Sequence, residues 1–192
     1  MLAIQVQGLE LAKRRLEEAG RKIDPVLRGA LNTTATKSRQ NYYTKALSPA
    51  IGGPRTRRAI RVKRARRGLM NARLIPSAAG IPVPYYKGWW FEPINLTRAR
   101  VWVRGPDGMK VAAGFVNPSS KNQLPLATRS AKAKRGGGEY RKNYKQLQLA
   151  LGPSAAYWFR KLTTAKTVRF VNADLQREFE RRIVREISKG LK

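Results

Sequence analysis

The residues of this sequence best suited to chemistry are a dense run of cations. Eight of the thirteen positions from 55 to 67 are basic: Arg55, Arg57, Arg58, Arg61, Lys63, Arg64, Arg66 and Arg67. Guanidinium and ammonium groups bind phosphates and carboxylates, and so many like charges in so short a length repel one another. We therefore expect this run to contact a polyanion or an acidic protein.

A second basic cluster lies in a long stretch of low apolar content, residues 117–145. Its cations are Lys132, Lys134, Arg135, Arg141 and Lys142. The glycines at 136–138 lack the Gly-Lys-Ser/Thr ending of a phosphate-binding loop and favour a flexible linker. Contacts with phosphates through both clusters would make binding salt-dependent. The alternative is a solvated surface without a ligand.

The charge of the whole chain favours a negatively charged partner. The chain carries 41 Lys and Arg against 11 Asp and Glu, a formal net charge of +30. Between Pro25 and Ala173, thirty basic residues face only three acidic ones, Glu92, Asp107 and Glu139. Most charged segments are simply solvated, but an imbalance of this size favours a polyanionic or acidic partner.

Residues that usually carry catalysis are scarce. The sequence contains no histidine and no cysteine, which removes the usual general base, disulfides and the commonest metal ligands. Of the central acids, Asp107 lies in a predicted turn and Glu139 in the glycine-rich stretch. We expect no enzyme, no cofactor and no metal site, and a desolvated lysine is the remaining route to catalysis.

An aromatic cluster follows the basic run. It comprises Tyr85, Tyr86, Trp89, Trp90 and Phe91. Aromatic residues dominate both protein cores and subunit interfaces, and we assign this cluster to an interface. Stacking against nucleic-acid bases is the alternative.

Strands must position the basic and aromatic residues. Alternation of apolar and polar residues predicts strands at 2–6, 71–76, 81–86 and 146–151. It also predicts a hairpin of 99–104 and 109–116, because Gly105, Pro106, Asp107 and Gly108 form a turn sequence between them. Helical spacing predicts helices over 9–19, 25–47, 154–162 and 172–192, the last capped by Asn172.

Together, these predicted helices and strands indicate an α+β fold. We expect an antiparallel sheet of about four to six strands, with N-terminal and C-terminal helices packed on it and a long basic loop. A single domain spanning 1–192 would comprise an N-terminal strand/helix arm at 1–24, a basic α+β body at 25–171 and a C-terminal amphipathic helix at 172–192. No apolar run approaches the roughly 20 residues that span a bilayer, and residues 1–8 are too polar for a secretory signal. A cytosolic protein without a membrane partner is expected.

Several motifs occur in an order that is specific when they are taken together. They are Ala-Leu-Asn-Thr-Thr-Ala at 30–35, a proline/glycine break, the basic residues at 57–67, a strand at 71–75, Ile-Pro-Val at 81–83, the hairpin ending at 115–116, Gly-Pro-Ser at 152–154 and a final amphipathic helix. In this order the chain resembles the minor tail protein Z group of tailed bacteriophages, within the tail-completion and neck proteins.

The resemblance implies a non-enzymatic virion structural protein. Such a protein completes the tail or joins head and tail, as part of a ring around the DNA channel. The implied partners are other tail or neck subunits, further copies of the chain in a ring (six copies are expected) and genomic DNA, with assembly in the bacterial host cytoplasm. A free nucleic-acid-binding protein of ribosomal or nucleoid type is the alternative.

Overall fold

The structure, a computed structural model, describes residues 8–18, 22–128 and 147–190. Contacts divide the chain into two compact units. The first unit is Met1–Ala46, Arg57–Pro76 and Phe159–Lys192, and the second unit is Leu47–Thr56 and Ser77–Trp158. The strand predicted at 2–6 lies outside the described residues.

The helices and strands follow one another as an α+β chain. The helices are α1 (Leu9–Glu18), α2 (Ile23–Ser38), α3 (Lys45–Ile51), α4 (Gly53–Ala59), α5 (Ala155–Leu162) and α6 (Ala165–Gly190). The strands are β1 (Ile60–Lys63), β2 (Arg73–Pro76), β3 (Ile81–Pro82), β4 (Trp89–Asn95), β5 (Arg98–Gly105), β6 (Gly108–Val116), β7 (Leu126–Thr128), β8 (Leu147–Leu149) and β9 (Leu151–Gly152). No helix among the described residues is both long enough and apolar enough to cross a membrane.

Three helices build the core of the first unit. Ala12 and Leu16 of α1 and Val26 and Ala30 of α2 are buried together with the α6 residues Leu175 and Phe179. Ile183 and Ile187 of α6 pack against this cluster. The predicted apolar stripe of the last helix is therefore confirmed, because its spacing places all four α6 residues on one face.

The start of α6 differs from the prediction. Asn172 was expected to cap the helix, but α6 begins at Ala165 and Asn172 lies in its interior. The cap is Thr164, whose Oγ1 accepts a hydrogen bond from the Thr167 backbone N–H at 3.3 Å. The predicted cap at Asn172 is therefore wrong, because the helix begins seven residues earlier.

The second long helix also extends beyond its predicted end. A π-helical segment, Arg39–Thr44, joins α2 to α3, so the chain stays helical through Pro49 as far as Ile51. The prediction ended this helix near 47, before Pro49. The helix instead ends at Gly52, whose φ of 81° is favourable for glycine and whose N–H reaches the Ser48 carbonyl at 2.9 Å.

The second unit contains a seven-stranded sheet with the order β3-β9-β6-β5-β4, to which β7 and β8 are attached. The predicted hairpin is confirmed as β5–β6, in which Ala99, Val101 and Val103 are buried and Arg98, Arg100 and Arg104 are exposed. All strand pairs are antiparallel. The expected α+β class, with an antiparallel sheet and helices from both chain ends, is thus confirmed. The strand count exceeds the expectation because β4 and β7 were not predicted as strands, and because the strand predicted at 146–151 is divided into β8 and β9.

The strand predicted at 81–86 is mostly wrong. Only Ile81–Pro82 pairs in the sheet, and Val83–Tyr85 forms a 3₁₀ turn. Two prolines, at 82 and 84, fix φ and remove backbone donors, so a longer strand could not pair along its length.

Candidate polyanion-binding surface

The cations at 57–67, which we call the basic segment, belong to the first unit and follow three local structures. Arg57 and Arg58 lie in the last turn of α4, and Arg61 and Lys63 lie on β1. The segment then turns back through Gly68, whose φ is 76°, and a bridge between Arg66 and Leu69 with two backbone bonds of 3.0 Å closes the turn. The chain changes from helix to strand to turn within these residues, so the seven cations lie on three consecutive local structures.

Buried residues between the cations anchor this path. Ile60 is fully buried and Ala65 is 4% exposed. The Asn32 side chain on α2 fixes Ala65 from both sides: its Oδ1 accepts from the Ala65 N–H at 2.7 Å, and its Nδ2 donates to the Ala65 carbonyl at 3.2 Å. The backbone of the basic segment is therefore held against α2 at Ala65, whereas the basic side chains are exposed.

The cations themselves point outward. The exposed members in the first unit are Arg57, Arg58, Arg61, Lys63, Arg64, Arg66 and Arg67. Within the described residues none of them forms a salt bridge with a carboxylate. A folded surface with this many unpaired like charges gains most from a negatively charged ligand.

The β1–β2 ribbon adds a cation that the sequence prediction did not include. Its register sets Lys63 directly opposite Arg73 and Arg61 opposite Ile75. Like charges directly opposite in an antiparallel pair are destabilising. Arg73 was predicted only as a strand residue, because it lies beyond the basic run and the pairing that brings it back is non-local.

One acid of the first unit, Glu178 on α6, is buried and surrounded by cations. Glu178 is 3% exposed and accepts bonds from Arg181 Nη2 at 2.7 Å and Arg182 Nε at 2.9 Å, with Lys37 Nζ at 3.4 Å. Burial alone would raise the pKa of Glu178, but the hydrogen bonds and charges of these cations outweigh burial and lower the pKa below its ordinary value. This network stabilises the α2–α6 contact, and Glu178 is not available to the basic segment.

Arg55, the remaining cation of the predicted run, belongs to the second unit. Its guanidinium carbon lies 3.6 Å from the centre of the Tyr85 ring, a cation–π contact. Both side chains are exposed, and Tyr85 retains 43% of its accessible surface. Arg55 thus contacts an aromatic ring, and no carboxylate among the described residues forms a salt bridge with it.

The predicted aromatic cluster is divided between the interior and the surface of the second unit. Tyr86 is buried: its hydroxyl donates to the Pro153 carbonyl at 2.5 Å and accepts from Trp158 Nε1 at 2.9 Å. Burial raises the pKa of Tyr86 to about 12, although the bond from Trp158 acts in the opposite direction. Tyr86 is therefore a core residue, and its assignment to an interface is wrong for this unit.

Trp89, Trp90 and Phe91 follow on β4 with alternating exposure. Trp89 and Phe91 are half-buried, opposite Val103 and Val101 of β5. Trp90 points to the other face, is 43% exposed and stacks on Trp102 with ring centres 6.3 Å apart. The contact of Trp90 and Tyr85 with a partner subunit stays a prediction.

The remaining predictions concern the second basic cluster, a catalytic lysine and a metal site. Lys132, Lys134, Arg135, Arg141 and Lys142 lie outside the described residues, as does most of the predicted basic loop. Every lysine that the structure describes is exposed. No group of three or more acidic, histidine or cysteine side chains that could hold a metal ion occurs in the described part of the chain.

Comparison with known proteins finds no relative. No family model matches this chain, and no curated protein or solved structure matches it significantly.

Proposed function

We propose that this protein is a non-enzymatic virion structural protein that completes a phage tail or joins head and tail, as part of a ring around the DNA channel. The observation that carries the proposal is the basic segment, whose backbone is anchored to α2 through Asn32 and Ala65. Its seven cations face outward and have no carboxylate partner in the part of the chain that the structure describes. The order of motifs that resembles the tail-completion proteins supports the same function.

An anchored cationic surface suits a channel wall. Backbone-directed contact with phosphates needs many exposed cations but no base-reading geometry. A fixed backbone limits the entropy lost when side chains meet a polyanion, and lets copies in a ring present the same charge pattern. Acidic neighbouring subunits could offset the same charge.

Exposed apolar side chains favour an assembled protein over a free nucleic-acid-binding protein. Ile94 is 62% exposed, Leu96 84% and Val184 65%. Large exposed apolar residues that cluster mark protein–protein contacts, and Ile94 and Leu96 lie within three positions of each other. A free nucleoid-type protein would need the cations but not these residues.

Charge reversal in the basic segment tests the proposal. The variant Arg57→Glu, Arg58→Glu, Arg61→Glu, Arg64→Glu should keep its circular dichroism spectrum and produce heads and tails that do not join, or particles that do not eject DNA. The matched control reverses four exposed cations elsewhere: Lys13, Arg14, Lys121 and Arg185. Normal infectious particles from the first variant would overturn the proposal.

The rival function is tested by gel retardation with duplex DNA over a salt series. A free binder retards any duplex, with a steep loss of affinity as salt increases. A neck or tail protein must in addition co-purify with tail particles. Strong retardation without any association with particles would favour the ribosomal or nucleoid alternative.

A further inference from the structure

The strands β1 and β2 of the first unit form a two-stranded antiparallel ribbon, distinct from the seven-stranded sheet. Successive side chains of a strand alternate between the two faces of its sheet. Ile60 is fully buried, and Val62 and Leu74 are half-buried, so one face of the ribbon packs inward. The opposite face, which we call the ribbon face, is exposed and carries Arg61, Lys63, Arg73 and Ile75.

Positive charge is concentrated on the ribbon face. Three of its four side chains are cations, and the register holds Lys63 directly opposite Arg73. Side chains that are directly opposite in an antiparallel pair lie close enough for like charges to repel. No carboxylate within the described ranges forms a salt bridge with any of the three cations. An anionic ligand would therefore relieve a repulsion that the fold itself maintains.

Further cations lie at both ends of the ribbon. The turn that joins β1 to β2 carries Arg64, Arg66 and Arg67, and the last turn of α4, which leads into β1, carries Arg57 and Arg58. The ligand of the ribbon face is thus expected to be longer than the ribbon and charged along its length. A nucleic-acid backbone has this property.

Arg73 is oriented by a neighbouring side chain. Its Nε donates a hydrogen bond to Asn71 Oδ1 at 3.1 Å. A bond through Nε restricts the guanidinium plane and is compatible with a bidentate contact through the two terminal nitrogens. This is the contact that arginine makes with the O6 and N7 atoms of guanine.

The shape of the ribbon favours duplex DNA over duplex RNA. The major groove of B-form DNA is about 12 Å wide and admits a two-stranded β-ribbon. Each strand of this ribbon has four residues, so it spans about 10 Å along the groove. The major groove of A-form RNA is deep and too narrow for side chains to read.

Ile75 adds an apolar side chain to the ribbon face. It is 46% exposed and lies opposite Arg61 in the register. Phosphates and the carboxylates of an acidic protein make no use of an apolar group. The major groove of DNA does, because the thymine methyl is exposed there beside the purine acceptors.

We propose that the β1–β2 ribbon enters the major groove of duplex DNA, with the ribbon face on the base edges and the cations at both ends on phosphates. Every base pair presents a purine N7 in this groove, so the contact needs no particular sequence. The inference rests on the proposed function and specifies DNA, in place of an acidic neighbouring subunit, as the ligand of the basic segment.

Fluorescence anisotropy with two labelled duplexes tests the groove contact. The full chain is titrated into a short DNA duplex and into the RNA duplex of the same sequence, at one salt concentration. We expect a Kd about tenfold or more lower for DNA, because only its major groove receives the ribbon. Methyl green, which occupies the major groove, should displace the protein. Equal affinity for both duplexes, no binding to DNA, or displacement by the minor-groove ligand netropsin would overturn the proposal.

Ile75→Ser tests insertion without changing any charge. The variant should keep its circular dichroism spectrum, bind the DNA duplex several-fold more weakly and retain the salt dependence of the wild type. The matched control is Val184→Ser, which replaces another β-branched, exposed side chain of the first unit and should leave the Kd unchanged. Equal affinities of Ile75→Ser and the wild type would contradict insertion of the ribbon face.

Two double variants separate the ribbon face from the flanking cations. Arg61→Ala with Arg73→Ala, and Arg57→Ala with Arg58→Ala, each remove two exposed cations, so both should weaken binding to DNA. Only the first pair should bring the Kd values for DNA and RNA close together. The same preference for DNA in both double variants would show that the ribbon face does not enter the groove.

The groove contact and the proposed function fail in different experiments. Loss of the preference for DNA duplexes over RNA duplexes overturns the groove contact and does not affect the proposed function. Normal infectious particles after reversal of the charges in the basic segment overturn the proposed function, whichever duplex the isolated protein prefers.

Discussion

The side chain of Asn32 holds the backbone of Ala65 through both of its amide atoms, across thirty-three positions of sequence. It replaces the strand partner that the Ala65 peptide group would otherwise need. Through this pair, a helix of the first unit fixes the middle of the basic segment.

Asn32→Ala should destabilise the protein by about 2 kcal/mol, because the buried Ala65 N–H loses its acceptor. Polyanion affinity should also fall, although no charge is removed, since the segment is no longer held in place. Urea unfolding and gel retardation measure the two effects. Asn32→Asp keeps the acceptor and should lose less; an Asn32→Ala protein as stable as the wild type would contradict the role of this pair.

Lys63→Glu should increase stability while weakening polyanion binding. The change replaces repulsion with attraction opposite Arg73, a gain of about 0.5 kcal/mol. Binding to duplex DNA should weaken, and the slope of log K against log salt should decrease by about 1 or more. Lys121→Glu, an exposed change in the second unit, is the control. Lower stability with unchanged binding would refute this interpretation of the β1–β2 ribbon.

Glu178→Gln should cost about 2 kcal/mol at neutral pH, because three cations lose a charged acceptor. The folded-state pKa of Glu178 is lower than that of the unfolded chain, so its stabilisation is complete above the ordinary value of about 4.3 and is lost as pH falls through the folded value. The stability difference between wild type and variant should therefore shrink in acid.

Chemical denaturation at a series of pH values measures this difference. Glu186→Gln, whose partner Lys189 lies on the helix surface, is the control and should change stability by about 0.5 kcal/mol or less. A constant difference between wild type and Glu178→Gln down to strongly acidic pH would show that the carboxylate is not the titrating group.

Tyr86→Phe should destabilise the second unit by about 2 kcal/mol, because the Trp158 N–H and the Pro153 carbonyl both lose their partner. Tyr85→Phe, which keeps the exposed ring under Arg55, should be nearly neutral. The ultraviolet titration of Tyr86→Phe should also lack the tyrosinate that forms near pH 12 in the wild type. Equal stability of the two variants would contradict the buried hydrogen-bond pair.

Burial of the aromatic cluster could not be deduced from local sequence. Tyr85 and Tyr86 are adjacent and chemically alike, yet one is exposed and the other is in the core. The difference arises because Pro153 and Trp158, which lie 67 and 72 positions away, come beside Tyr86. Pairings of this kind depend on how the strands cross, which single-residue patterns do not encode.

Features that depend on neighbouring residues follow from the sequence alone. The β5–β6 hairpin follows from alternation around a turn sequence, the α6 stripe follows from helical spacing, and the excess of positive charge follows from composition. Each is local, so the chain specifies it before any long-range contact forms.

Long-range packing determines which residues come together. It placed Asn32 beside Ala65 and set Arg73 opposite Lys63. These relationships join residues far apart in sequence, and packing selects them through the burial of whole elements.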